Sequence, residues 1–317
     1  MSARLRGIAK QTEEIVEAGH YRAPGGRKVS IETELTAAVR ATRLYGPEPV
    51  PVTPDTDRDT LIEVTDESSL AAARRMTRAH DGPVAVLNFA SARNPGGGYL
   101  NGAQAQEEAL CRSSALYTTL LRAPEYYAHH RAGGTSEANS WGTDVFYSDR
   151  VILSPTVPVF RDDRGALLDE PFTVGFLTSP APNAGVIRRQ TPHLAPRVPA
   201  ALASRAERVL ETAVAGGYRR LVLGAWGCGV FQNDPAEVAG AFRRLLTGEG
   251  RFAGHFDEIV FAILDRTAGR TTLAAFQRVL TGARPADPGA CLTRASPVYR
   301  RRALADRRPA PPRRTGV

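Results

Sequence analysis

The chain has 317 residues, 42 % apolar and 23 % charged, with a net charge of +8. That is the composition of a soluble globular protein. No stretch nears the roughly 18 apolar residues of a membrane span. The opening MSARLRGIAKQTEEIVEAG carries acidic residues where an export signal would have its apolar centre. Three cysteines (Cys111, Cys228, Cys291) occur without a CxxC pair or a zinc-spaced His/Cys cluster, which points to a reducing, cytoplasmic setting and no structural metal. Nine arginines and two aspartates between 282 and 317 account for seven of the eight positive charges, so 1–281 is nearly neutral. Of 41 basic residues only Lys10 and Lys28 are lysine, so arginine abundance is partly a compositional habit and a weak sign of nucleic-acid binding.

In chain order, Leu5, Ile8 and Ile15 predict an amphipathic helix within 1–21. A short strand is expected at 28–33 and a Pro/Asp-rich loop at 46–59. A strand at 60–64 precedes a helix that starts at the N-cap Ser68 and runs to about His80. Residues 83–90 form a continuous apolar run suited to a central buried strand. The loop Asn94-Pro95-Gly96-Gly97-Gly98 follows, then a helix expected over 107–121. Strands are expected at 151–153, 157–160 and 172–178, and a helix at 199–215. A second strand-loop-helix unit then pairs strand 220–224 with the loop GAWGCGVFQND and a helix from Pro235 to Leu246, started by Asp234-Pro235. Strand 257–264 and helix 271–280 close the pattern. This alternation predicts an α/β fold of three layers, a mixed, largely parallel sheet with helices on both faces. Both glycine loops follow strand ends and belong on one rim. The folded domain is expected to span 1–281, and the Arg/Pro-rich 282–317 to be a disordered tail.

Glycines 96–98 have no Cβ, so their amides can approach a ligand, although a plain tight turn uses the same residues. Gln106-Glu107-Glu108 at the next helix start favours chemistry: a backbone anion site beside carboxylates suits cleavage of a phosphate-bearing glycoside. In the second loop, Gly224, Gly227 and Gly229 offer the same close approach. Trp226 reads as core and Phe231 as a platform for a sugar or base. Cys228 has no histidine near it in sequence, so a small residue admitting close backbone contact explains it better than a nucleophile. Neither loop matches GxxxxGK[ST] or GxGxxG. His129-His130 diverge by about 100° on a helix and read as a solvated helix end.

GGG, seven residues, then QEE resembles the signature of poly(ADP-ribose) glycohydrolases of the bacterial type, whose fold is a macrodomain. GAWGCGVFQND, VLNFASARNPGGG, SDRVILSPTVPVFRDD and TSPAPN are similar to other segments of that family, in the family's order, over about 1–281. The resemblance implies that Glu108 is the general acid/base. It implies that Glu107, with Gln106 beside it, and Asn94 bind the ribose at the scissile end, and that Gly96, Gly97 and Gly98 wrap that ribose and its phosphate. It also implies that Gly227, Cys228, Gly229 and Val230 give amides to the diphosphate, with Phe231 against the distal ribose. Glu108 would protonate the departing oxygen, then help to stabilise an oxocarbenium-like centre and activate water. No cofactor is implied. The expected partner is poly(ADP-ribose), or ADP-ribosylated protein or nucleic acid, bound by a monomer with weak nucleic-acid contact through the basic tail. Removal of single ADP-ribose units and binding without cleavage are the competing readings.

Overall fold

The computed structural model describes residues 2–133 and 145–282. The basic tail from 283 onward, with Cys291, lies outside the described residues. Helix α1 (Ala3–Ala18) starts where the Ser2 hydroxyl accepts the Leu5 N–H at 3.4 Å and stops at Gly19, at φ +68°. Strands β1 (His20–Arg22) and β2 (Lys28–Ser30) pair as a separate antiparallel ribbon. Helix α2 (Glu32–Ala41) and strand β3 (Arg43–Tyr45) leave little trace in the pattern: α2 has no side-chain N-cap, and β3 is three residues long.

Strand β4 (Leu61–Thr65) leads to α3 (Ser69–Ala79), whose N-cap Ser68 accepts the Ala71 N–H at 3.0 Å as expected. Strand β5 (Val84–Phe89) follows, with its first five residues buried. The helix expected over 107–121 is instead α4 (Gln106–Ser113) and α5 (Leu116–Leu120). Extended Ser114 breaks it by bridging to Val159, and the Ala115 N–H bonds to the Pro158 carbonyl at 3.1 Å. Pairing with a distant strand outweighs local helix propensity there. Helix α6 (Pro124–Arg131) follows. The two strands expected at 151–153 and 157–160 are one strand, β6 (Val151–Arg161), irregular between Ser154 and Val157, where Thr156 takes φ +52°. Strand β7 (Leu167–Ser179), α7 (Ala184–Gln190), α8 (Val198–Ala215), β8 (Arg220–Gly224), α9 (Pro235–Leu246), β9 (Glu258–Ala262) and α10 (Thr271–Thr281) complete the chain.

The main sheet has seven strands in the order β3-β6-β7-β5-β8-β9-β4. Strands β7, β5, β8, β9 and β4 are parallel neighbours, while β6 runs antiparallel to β3 and β7. Side chains alternate across it as the pleat requires. Ala85, Leu87, Leu221, Leu223, Ile259 and Phe261 pack with α7–α10, and Val84, Val86, Val222, Val260 and Ala262 pack with α1–α4. These two cores make the expected three layers. The loop after β5 leads to α4 on one face and the loop after neighbouring β8 leads to α9 on the other. That divergence opens a crevice at the carboxyl ends of the strands. Among the described residues no helix is long and apolar enough to cross a membrane.

Candidate active site

The carboxylates are built from below by β5. Asn88, a polar residue inside the apolar run, is fully buried, and its Nδ2 donates to Glu107 Oε1 and to Thr178 Oγ1, each at 3.2 Å. Gln106 holds the start of α4 to the end of β5. Its Oε1 accepts the Phe89 N–H at 2.9 Å, and its Nε2 donates to the Leu87 carbonyl at 2.8 Å and to Ser69 Oγ at 3.1 Å. The expected binding residue Gln106 thus has its whole amide committed to the scaffold. Glu107 is buried, and its Oε2 accepts the Ser91 N–H at 2.7 Å. Burial raises this carboxyl to about 8.

The triple-glycine loop corrects the expectation of an amide cradle. The Gly96 backbone bonds to Glu107, the Gly97 N–H to the Asn94 carbonyl (3.0 Å), and the Gly98 N–H to Glu108 Oε1 (2.8 Å). Gly96 and Gly98 bond to the two glutamate side chains and Gly97 closes a turn onto Asn94, so all three have partners within the loop and the carboxyls beside it. The glycines are needed for space instead. Gly97 lies at φ +57°, and a Cβ there would come within 2.6 Å of Glu108 Oε1 and 3.1 Å of Glu107 Oε2. The gap left by the missing side chain is therefore reached by both carboxylates. Gly96 at φ +64° packs likewise over Cys111 and Tyr117.

Glu108 is 7 % exposed, and its Oε2 has no hydrogen-bond partner among the described residues. It lines a cleft of about 700 Å³ with Asn94, Gly97, Gly98, Tyr117, Tyr147 and Phe231. Asn94, Gly97, Gly98, Glu108 and Phe231 therefore meet in one place, as expected. Tyr117 and Tyr147 were not anticipated, since each sits among ordinary helix or loop residues with no motif around it. Asn88 did carry a signal: it is the lone polar side chain within an apolar strand.

The second loop has the complementary pattern. The Cys228 N–H bonds to the Ala225 carbonyl at 3.1 Å, so it is not the donor expected of it. The amides of Gly227, Gly229, Val230 and Phe231 bond to nothing among the described residues. Gly229 is open around its Cα and Val230 is 84 % exposed. Gly227 takes φ +70°, and a Cβ there would meet Ala181 and Asn233 at 2.5 Å. Buried Asn233 ties the loop down through Nδ2 donation to the carbonyls of Pro182 (2.9 Å) and Gly227 (3.2 Å). Trp226 is core, as expected, with its indole N–H on the Ser179 carbonyl at 3.0 Å. Burial pushes the Cys228 thiol up to about 12, which suits a packing residue.

On the far side of this loop lies an apolar pocket of about 470 Å³ bounded by Phe89, Ala225, Cys228, Ile263, Glu67 and Asp265. The unengaged amides thus lie between a cleft with a carboxylate and a pocket with apolar walls. Among the described residues no group of three or more His, Cys, Asp or Glu side chains could hold a metal. The histidine pair departs from expectation: His129 is half-buried, but His130 is only 4 % exposed and hydrogen-bonded to Ser148.

Residues 9–162 match the family "Microbial-type PARG, catalytic domain". The crystal structure of poly(ADP-ribose) glycohydrolase from Thermomonospora curvata bound to the inhibitor ADP-HPD is 51 % identical with a TM-score of 0.78, covering 87 % of this chain and 99 % of that one. Another structure of the T. curvata enzyme is 49 % identical with a TM-score of 0.79, covering 88 % of this chain and all (100 %) of that one. The Deinococcus radiodurans enzyme in complex with ADP-ribose is 45 % identical with a TM-score of 0.69, covering 78 % and 97 %. No curated protein sequence matches. With half of its residues shared over nearly the whole length of such relatives, the chain belongs to the microbial-type poly(ADP-ribose) glycohydrolases.

Proposed function

We propose that Glu108 performs the proton transfers of this glycohydrolase, which cleaves the ribose–ribose O-glycosidic bonds of poly(ADP-ribose) and releases ADP-ribose. The observation that carries the assignment is the division of labour between its oxygens: Oε1 is anchored by the Gly98 N–H, and Oε2, buried beside the cleft that Glu108 lines, has no partner among the described residues. Oε2 gives its proton to the departing glycosidic oxygen as the C–O bond breaks. The resulting carboxylate stabilises the oxocarbenium-like carbon. It then takes a proton from the water whose oxygen forms the new bond to that carbon, which restores the acid.

The rest of the unit follows the surface. Its diphosphate lies on the amides of Gly227, Gly229, Val230 and Phe231, which present a ready anion site. Its scissile ribose sits over Gly97, within reach of Glu107 and Asn94, and Phe231 packs against sugar. Its adenosine enters the apolar pocket beyond the loop. A macrodomain over 1–281 accounts for the sheet and its two core layers, and the nine arginines beyond it supply an electrostatic hold on a polyanion.

Glu108→Gln keeps the size and the Oε1 acceptor while removing the proton. Release of ADP-ribose from poly(ADP-ribose) should fall by about 10³-fold or more, with product binding retained. Activity within tenfold of wild type would remove Glu108 from the mechanism. Release confined to mono-ADP-ribosylated protein or DNA would replace the polymer as substrate. Deleting 283–317 should weaken capture of the polymer most at low salt.

A further inference from the structure

Behind the cleft wall lies a buried group of polar side chains for which the chemistry above has no use. Helix α6 carries His130 inward. Its Nδ1 stands 2.8 Å from the Tyr126 carbonyl, which can only accept, so Nδ1 bears the proton and Nε2 is a bare acceptor. Nε2 receives both donors of Ser148, the N–H at 3.2 Å and Oγ at 2.8 Å. One residue further on, Asp149 is held by fully buried Arg205 (Nε to Oδ1, 3.0 Å) and by Ser204 Oγ (2.6 Å). Phe146, one residue before Tyr147, is fully buried in the core.

Tyr147 is thus pinned on both sides, and it takes φ +60°. That left-handed backbone is unfavourable for a bulky side chain and persists only where the surroundings impose it. Its ring lies edge-on to His130 (5.9 Å, 80°) and stands 5.9 Å from Phe231, and the residue, though buried, borders the cleft. Ser148 and His130 are not themselves cleft-lining, so this serine–histidine pair is no nucleophile dyad.

We propose that His130 and Ser148 are positioning residues that hold Tyr147 in its left-handed conformation, so that Tyr147 and Phe231 form an aromatic clamp on the sugar bound at Glu108. The clamp rests on the reading of this cleft as the ADP-ribose site. Burial lowers the His130 imidazole to about 3, which keeps Nε2 an acceptor at working pH.

The test is a double-mutant cycle read by calorimetric titration of ADP-ribose, with thermal unfolding alongside. Tyr147→Gly tolerates the positive φ and removes the ring; it should lower the melting temperature, because the ring is buried, and weaken binding about tenfold when titrated at a temperature where unfolding shows the variant still native. His130→Phe keeps a ring but removes the acceptor, and should lose about as much affinity. Combined with Tyr147→Gly it should lose no more than Tyr147→Gly alone, and His130→Gln, which restores an acceptor, should recover most of the binding. Multiplying losses in the double variant, or unchanged affinity in either single variant, would overturn the clamp. If His130→Phe does not fold, Ser148→Ala takes its place in the cycle. Wild-type protein that binds ADP-ribose yet frees none from the polymer would refute the glycohydrolase reading and still let the affinities decide the clamp.

Discussion

Replacing Gly97 by alanine probes the link between loop geometry and chemistry most directly. The new methyl group would stand 2.6 Å from Glu108 Oε1 and 3.1 Å from Glu107 Oε2. Ordinary carbon–oxygen contact is longer, so the Glu108 carboxylate must retreat by roughly half an ångström or more. The backbone adds its own strain, because φ +57° costs alanine about 1–2 kcal/mol. Weakening the 2.8 Å bond from the Gly98 N–H to Glu108 adds about 0.5–1.5 kcal/mol. The domain should still fold, with stability lowered by about 1.5–3.5 kcal/mol. Displacing a reacting group by a fraction of an ångström to 1 Å should lower kcat/KM by about 10²-fold. Initial rates of ADP-ribose release, with denaturant unfolding of the same preparation, separate the two effects. A Gly97→Ala enzyme within threefold of wild-type kcat/KM would show that this glycine does not set the position of Glu108.

Glu107 is raised by burial to about 8, against an unfolded value near 4.5. The native state therefore binds the extra proton between these limits, and stability falls as pH rises through that window. Glu107→Gln should flatten the fall by roughly 2–4 kcal/mol between pH 5 and 8, measured by urea unfolding; equal slopes in the two proteins would refute it. Cys228→Ser keeps the loop's size and amides, so ADP-ribose release should stay within about threefold; a loss of 10²-fold would reopen thiol catalysis. Gly7 is exposed in α1 with nothing within 4 Å of its Cβ position, so Gly7→Ala should stabilise the protein by about 0.5–1 kcal/mol with activity unchanged. A lower melting temperature would contradict that account of α1.

Much of the fold was legible because its signals are local. Ser68 caps α3, Asp234-Pro235 starts α9, and the unbroken apolar run at 83–90 becomes the central strand β5. Failures came where distant pairing overrides neighbours: Ser114 leaves the helix to meet β6, and α2 forms without a side-chain cap. The candidate site divides in the same way. That glycines, adjacent acids and a second glycine loop belong together was readable, because both loops follow strand ends. Which way each amide points was not. Hydrogen-bond direction in a turn depends on which acceptor the fold brings beneath it. Only the tertiary structure turned Gly96 and Gly98 toward the two glutamates, left Gly229 to Phe231 unengaged among the described residues, and tied the Gln106 amide to the scaffold. His130 shows the limit most plainly. Adjacent histidines at a helix end look solvated, yet the acceptor that buries one of them is needed by Ser148, eighteen residues away. Sequence determined which chemistry the chain carries, because residue types and local spacing suffice for that. Tertiary structure decided which atoms are left free to perform it, because that depends on contacts between residues far apart in the chain.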